Sequence, residues 1–275
     1  MSFHFRSPRQ VRAGVGAGRY DGIEAIIFDV EGTLVDSALP TLCSWQDVLC
    51  DYGYCFTTAE LHRSYGLAPR DMLAVLLPTA VPDDVRKAIA STQREVYAAK
   101  YLHRVQAFRG ARRLLAQIHA SGMRVALTTS ADPSTLYRYL ALLEIGQGAI
   151  DAIVCGSGSS KSLLQRAVER LSSPPSKRIV AIGASPFDAQ AAVQLGIGAV
   201  GVLTGHFSRA ELCAAGCSEI LENATSLFEI GGLARLRALE SGCHQAPKIR
   251  RDSVPEAVDG SAFNAQPAIQ QSLDT

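Results

Sequence analysis

The chain has 275 residues, 47% of them hydrophobic and 19% charged, with 27 basic against 26 acidic side chains and a formal net charge of +1. That balance suits a soluble globular protein of one large or two modest domains. It supplies no bulk field for nucleic acid or an anionic membrane, and no apolar run reaches the length of a membrane span, so neither partner is expected.

Residues 1–21 carry Arg6, Arg9, Arg12 and Arg19 among the first twenty positions and no acid there, and they lack the apolar core of a secretory signal. They read as a disordered basic extension. Gly14, Gly16 and Gly18 do not make a dinucleotide fingerprint, because the third glycine is misplaced and the run precedes a strand. The first strand is expected over Ala25–Val30. From Ala38 to Val105 no strand pattern appears. Helical segments are expected instead at Leu42–Leu49, Ala59–Tyr65, Asp71–Leu77 and Asp83–Leu102, the last with a stripe of Val85, Ile89, Thr92 and Val96. Pro69, Pro78 and Pro82 punctuate them.

Further short apolar runs, Arg124–Thr129, Ala152–Cys155, Ile179–Gly183 and Ala199–Leu203, read as buried parallel strands. The first three are followed by helical stripes: Leu136, Leu140 and Leu143; then Leu164, Val168 and Leu171; then Ala189, Val193 and Gly196. Alternation of this kind predicts an α/β fold, a doubly wound, Rossmann-like parallel sheet with right-handed crossovers. The expected domains are a core over 22–37 plus 106–235, an all-helical cap over 38–105 inserted after the first strand, and a disordered tail over 236–275. The seven cysteines are irregularly spaced and odd in number, which argues against a disulfide framework and for thiols in a reducing cytoplasm. Cys213 and Cys217 have no second ligand pair for zinc and read as small apolar residues.

The chemistry concentrates at strand ends, where ligands bind in such sheets. Ile26-Ile27-Phe28-Asp29-Val30-Glu31-Gly32-Thr33 is an apolar run that ends in two acids on one face of the strand. The plain alternative is a turn with two solvated acids. Unpaired carboxylates there are costly to desolvate unless a cation or a reaction uses them. Asp29 is the candidate nucleophile toward phosphorus and Glu31 its acid/base partner. Magnesium would bridge Asp29, the Val30 carbonyl and a phosphate oxygen. Thr129 and Ser130, at the end of the second strand, are candidate phosphoryl-oxygen donors, although Thr129 taken alone reads more readily as a helix cap, a role that Asp132 before Pro133 fits better. Lys161 opens a helix at the end that disfavours cations, which an anion between them would resolve. Its glycine-serine surroundings lack the glycines of a P-loop. Asp188 is either a first-turn acid or, beside Asp29, a metal ligand.

These four stations, in this order, resemble the haloacid dehalogenase-like hydrolase superfamily, nearest to its phosphoglycolate phosphatase-like branch with a helical cap, over about Gly22 to Ile230. Phe28 to Ser37 matches the first motif, Thr129 the second, Lys161 the third and Gly183 to Asp188 the fourth. Thr204 to Arg209 and Ala215-Gly216 resemble the last strand and helix of that branch. The resemblance implies a magnesium-dependent phosphatase acting on a small phosphorylated metabolite through an aspartyl-phosphate, with the cap selecting the substrate. Three positions depart from the family pattern. Glu31 stands where the family usually has Asp, Ser162 replaces a proline, and Ala184 takes the place of an acid that normally binds magnesium. Ala184 motivates a second reading, a catalytically degenerate member kept for binding or regulation. Metal-independent dehalogenation leaves Glu31 without a role. In the cap, Arg70 and His62 read as solvated or core residues. Neither substrate identity nor oligomeric state is legible in the chain.

Overall fold

Aliphatic and β-branched runs build the sheet, and their burial follows the expected pattern of strands covered on both faces. β1 (Ala25–Asp29) is fully buried up to its terminal acid. Beside it lie β4 (Arg124–Thr129), β5 (Ala152–Cys155), β6 (Ile179–Gly183), β7 (Gly198–Val202) and the short β8 (Glu219–Leu221). All are parallel, in the order β5-β4-β1-β6-β7-β8. This computed structural model describes residues 23–145, 148–171 and 178–228. The expected N-terminal extension, its glycine run and the tail lie outside the described residues.

The strand order reverses at β1. The chain progresses outward through β4 and β5 on one side and through β6, β7 and β8 on the other. Such a switch point opens a crevice at the carboxyl ends of the central strands, here those of β1, β4 and β6. β1 registers Asp29 opposite Thr128 of β4, and Phe28 opposite Ile182 of β6.

A two-residue antiparallel ribbon, β2 (Val35–Asp36) with β3 (Gln106–Ala107), brings the chain out of the sheet and back. Between these strands lie α1 (Ala38–Asp51), α2 (Thr58–His62), α3 (Pro69–Leu76) and α4 (Asp83–Val96). The expected helix over Asp83–Leu102 is corrected: α4 passes into a π-helical turn at Tyr97–Tyr101 and a 3-10 turn at Leu102–Arg104. Ile89 on the α4 stripe is fully buried, and so nearly is Gln93, whose Nε2 donates to Ser44 Oγ at 2.8 Å. One apolar cluster joins Leu42, Trp45, Leu73 and Ile89 of this insert to Ile27, Ala126 and Ile179 of the sheet.

The sheet is covered by α5 (Ala111–Ala120), α6 (Pro133–Leu142), α7 (Ser160–Arg170), α8 (Pro186–Gln194) and α9 (Arg209–Ala214). Two stripes differ from expectation. On α6 the buried set is Thr135, Leu136 and Tyr139, continued by Leu143 at its end, with Leu140 only half-buried. On α8 Val193 is 53% exposed and small residues, Ala189, Ala191 and Ala192, make the contact. Cys50 and Cys55 form a disulfide where α1 ends and its following turn brings their Cα atoms to 4.3 Å. This departs from the expectation that the cysteines are all free thiols. Among the described residues no helix is long and apolar enough to cross a membrane.

Candidate active site

The tight loop after β1 sets the geometry of the first acid. Gly32 takes φ +74°, a conformation that favours glycine, and a Cβ there would meet the Tyr65 hydroxyl at 2.9 Å. The Val30 carbonyl accepts from the amides of Thr33, Leu34 and Val35, at 3.3, 2.9 and 3.1 Å. The carbonyl expected to bind magnesium is thus also the acceptor that closes the turn. Thr33 Oγ1 donates to Asp29 Oδ2 at 3.5 Å.

Glu31 is held on both carboxylate oxygens. Its Oε2 accepts from Thr129 Oγ1 at 3.0 Å and from Ser130 Oγ at 3.4 Å, and its Oε1 accepts from the Tyr139 hydroxyl at 3.3 Å. Thr129 is not a helix cap. Its Oγ1 also accepts from the Ala131 amide, while Asp132 caps α6 by accepting from the amides of Ser134 and Thr135.

Asp188 takes the first of the roles considered for it, that of a first-turn acid. At the third position of α8 it forms a capping box with Ser185, whose amide and hydroxyl donate to Asp188 Oδ2 at 3.2 and 2.7 Å. It also acts electrostatically on Asp29. Burial raises the pKa of Asp29 well above the ordinary carboxylate range, and the neighbouring charges of Asp188 and Glu31 raise it further. Burial is also the main cause of upward shifts at Glu31 and Asp188.

Lys161 is not brought into this group. α7 is capped by Ser159, and the next residue, Ser160, lines the cavity and acts to lower the pKa of Asp188 against the larger effect of burial. Lys161 is exposed and stands outside the wall of the cavity. That cavity, of about 1120 Å³, is lined by Asp29, Glu31, Ser130, Ser160 and Asp188 from the core. From the insert, Tyr65, Arg70, Lys87, Arg94 and Tyr97 line it. Arg86 also lines it, but its guanidinium donates to the carbonyls of Val81, Leu73 and Pro78. His62 takes a core role, its Nε2 lying 2.8 Å from the Gly205 carbonyl and its ring against Phe207.

Magnesium asks for oxygen ligands and is commonly held by one or two carboxylates, substrate phosphate oxygens and water. The desolvated Asp29 and Asp188 fit that demand, because a cation would offset their burial and relieve the repulsion by Asp188 that adds to the shift at Asp29. Among the described residues no three His, Cys, Asp or Glu side chains converge as a closed metal site. Ala184 contributes only a methyl group.

The hydroxyls of Tyr139, Tyr97, Tyr65 and Ser160 are site features that sequence reasoning missed. Tyr139 sits three residues after Leu136 and four before Leu143, so the helical period carried a signal for its burial but none for its hydrogen bond.

The family model described as haloacid dehalogenase-like hydrolase matches residues 26–202. Among curated proteins, the chain is similar to the tyrosine-protein kinase PtkA of Mycobacterium tuberculosis and of Mycobacterium bovis. It is 26% identical to each over 211 residues, covering 75% of this chain and 71% of the relative. Among solved structures it is similar to a hydrolase from Pseudomonas syringae, with 24% identity, a TM-score of 0.70, and coverage of 77% of this chain and 98% of that one. CbbY from Rhodobacter sphaeroides in complex with phosphate is similar at 21% identity and TM-score 0.61, covering 77% and 99%. At these identities the structural likeness is one of fold.

Proposed function

The chain belongs to the haloacid dehalogenase-like hydrolase family, and from that premise we propose that it hydrolyses a small phosphate monoester through a phosphoryl group carried on Asp29. The observation that carries this reading is the meeting of Asp29 and a doubly anchored Glu31 in one cavity at the switch point of the sheet. An Asp29 carboxylate oxygen attacks phosphorus, the ester P–O bond breaks, and the leaving oxygen takes a proton from Glu31. Glu31 then removes a proton from water, whose oxygen attacks the phosphoryl group, frees phosphate and restores Asp29. Magnesium, held by Asp29 and Asp188, would supply neutralising charge at the transferring group. Ser160 offers its hydroxyl to the oxygens of that group, as does Ser130 where it turns from Glu31, and the helical insert, acting as a cap, closes over the substrate with Arg70, Lys87 and Arg94 on its wall. Lys161, facing outward, has no part in this reading.

The methyl group of Ala184 favours a second reading, a family member that binds a phosphorylated ligand without turning it over. One experiment separates the two: release of phosphate from p-nitrophenyl phosphate across a magnesium titration, for the wild type and Asp29→Asn. Turnover that rises with magnesium and disappears in the variant is expected. Equal rates for both proteins would overturn the mechanism, and no turnover with retained phosphate binding would select the second reading. The mycobacterial relatives are named as tyrosine-protein kinases, which makes transfer to an acceptor other than water a further outcome, seen as nitrophenol released in excess of phosphate.

A further inference from the structure

Glu31 stands where the resemblance expects an aspartate, and its extra methylene carries the carboxylate into a buried network of hydroxyls. Its Oε1 accepts from the Tyr139 hydroxyl at 3.3 Å, and the Tyr139 oxygen lies 2.6 Å from the Tyr97 hydroxyl. A phenol has one proton to give. Tyr139 spends it on Glu31, so Tyr97 donates to Tyr139, and the chain of bonds runs Tyr97 to Tyr139 to Glu31. Tyr139 is fully buried and does not line the cavity, so a ligand there does not touch it. Tyr97 is 6% exposed and begins the π-helical turn of the insert, an irregularity frequent at functional positions. Two phenols in an apolar cluster are costly to bury without partners, and here each satisfies the next.

We propose that Tyr139 and Tyr97 are positioning residues that fix the Glu31 carboxylate in its working orientation, with Tyr97 tying the helical insert to that acid. The inference rests on the reading of Glu31 as the acid/base group. With Oε2 anchored by Thr129 and Ser130 and Oε1 by Tyr139, the plane of the carboxylate is set from both sides. Without Tyr139 the group is held on one oxygen only and rotates. Misplacement of a reacting group by about 1 Å costs up to about a hundredfold in rate.

The test measures kcat and KM with p-nitrophenyl phosphate for Tyr139→Phe and Tyr97→Phe, each in the wild-type and the Glu31→Asp background. In the wild-type background Tyr139→Phe lowers kcat about tenfold and Tyr97→Phe about threefold, with KM held within about twofold. An aspartate at position 31 is too short to reach Tyr139, so in that background both substitutions change kcat by less than about twofold. A merely structural role would be felt in either background. Equal losses in both, or a loss confined to KM, overturn the inference. If Tyr139→Phe does not fold, Tyr97→Phe carries the same comparison. If the wild type and Asp29→Asn have equal rates, the acid/base reading falls and takes this inference with it. If Asp29 proves essential but the losses are the same in both backgrounds, only the inference falls.

Discussion

At Ala184 the chain presents a methyl group to the loop that carries Asp29 and Glu31. The residue is 1% exposed, and its Cβ lies 3.3 Å from the position a Cβ would take at Gly32. On its other side the loop after β7 presses in so closely that a Cβ at Gly205 would stand 2.1 Å from the Ala184 carbonyl oxygen. Position 184 therefore faces the acid loop with no room to turn away. A carboxylate placed there joins Asp29, Glu31 and Asp188. Without a cation it adds repulsion to an already desolvated cluster, and with one it adds a third ligand. Ala184→Asp is accordingly expected to melt at a lower temperature than the wild type in chelator and to gain more from millimolar magnesium. Its kcat/KM at low magnesium is expected to rise about tenfold, in line with the stabilisation one more charged ligand gives. Equal magnesium responses in the two proteins would show that position 184 does not face the cation.

The elements that the amino-acid pattern revealed are those long enough to have a period. Arg124–Thr129, Ala152–Cys155 and Ile179–Gly183 are strands with those bounds, and the other two expected strands are displaced by a single residue. β2, β3 and β8, of two or three residues, are too short to show alternation and were not legible. The same limit of resolution decides the fate of Lys161. Successive residues on a helix are separated by about 100°, and here Ser160 lines the cavity while Lys161 stands outside it. A motif read along the chain places the lysine in the site; the start of α7 leaves it exposed outside the cavity. Lys161→Ala should consequently keep kcat/KM within about threefold of wild type, the scale of an exposed charge, whereas Ser160→Ala should lose about tenfold through Asp188. A loss of a hundredfold or more for Lys161→Ala would show that α7 turns its lysine inward when substrate is bound. The acids, by contrast, were legible because a buried strand rarely ends in two carboxylates. Their partners Tyr97 and Tyr139 lie at about 65 and 110 residues' distance and meet Glu31 only through the fold.

For the molecule as a whole, the central strand of the sheet ends in a cluster of like charges, and the folded state bears the cost. Burial, then Asp188, then Glu31 hold the Asp29 carboxyl well above its ordinary range, and burial raises Glu31 and Asp188 as well. The sign of the resulting linkage follows from the direction of these shifts. A carboxyl whose folded-state pKa is raised keeps its proton in the native protein where the unfolded chain has already released it. Its contribution is fully present below the ordinary carboxylate range and is lost as pH rises through the elevated folded-state values. Metal-free protein should therefore lose stability from the ordinary carboxylate range upward. Asp29→Asn removes the most strongly shifted group and relieves its neighbours, so the variant should show a flatter profile and melt above the wild type at pH 8, with the gap narrowing toward pH 4. A cation that binds only the native state stabilises it by mass action. Magnesium at pH 8 should then raise the melting temperature of the wild type and leave Asp29→Asn almost unmoved. Parallel pH profiles for the two proteins would mean that the acids are already neutralised by another group, most directly by Arg70, Lys87 and Arg94 closing in from the helical insert.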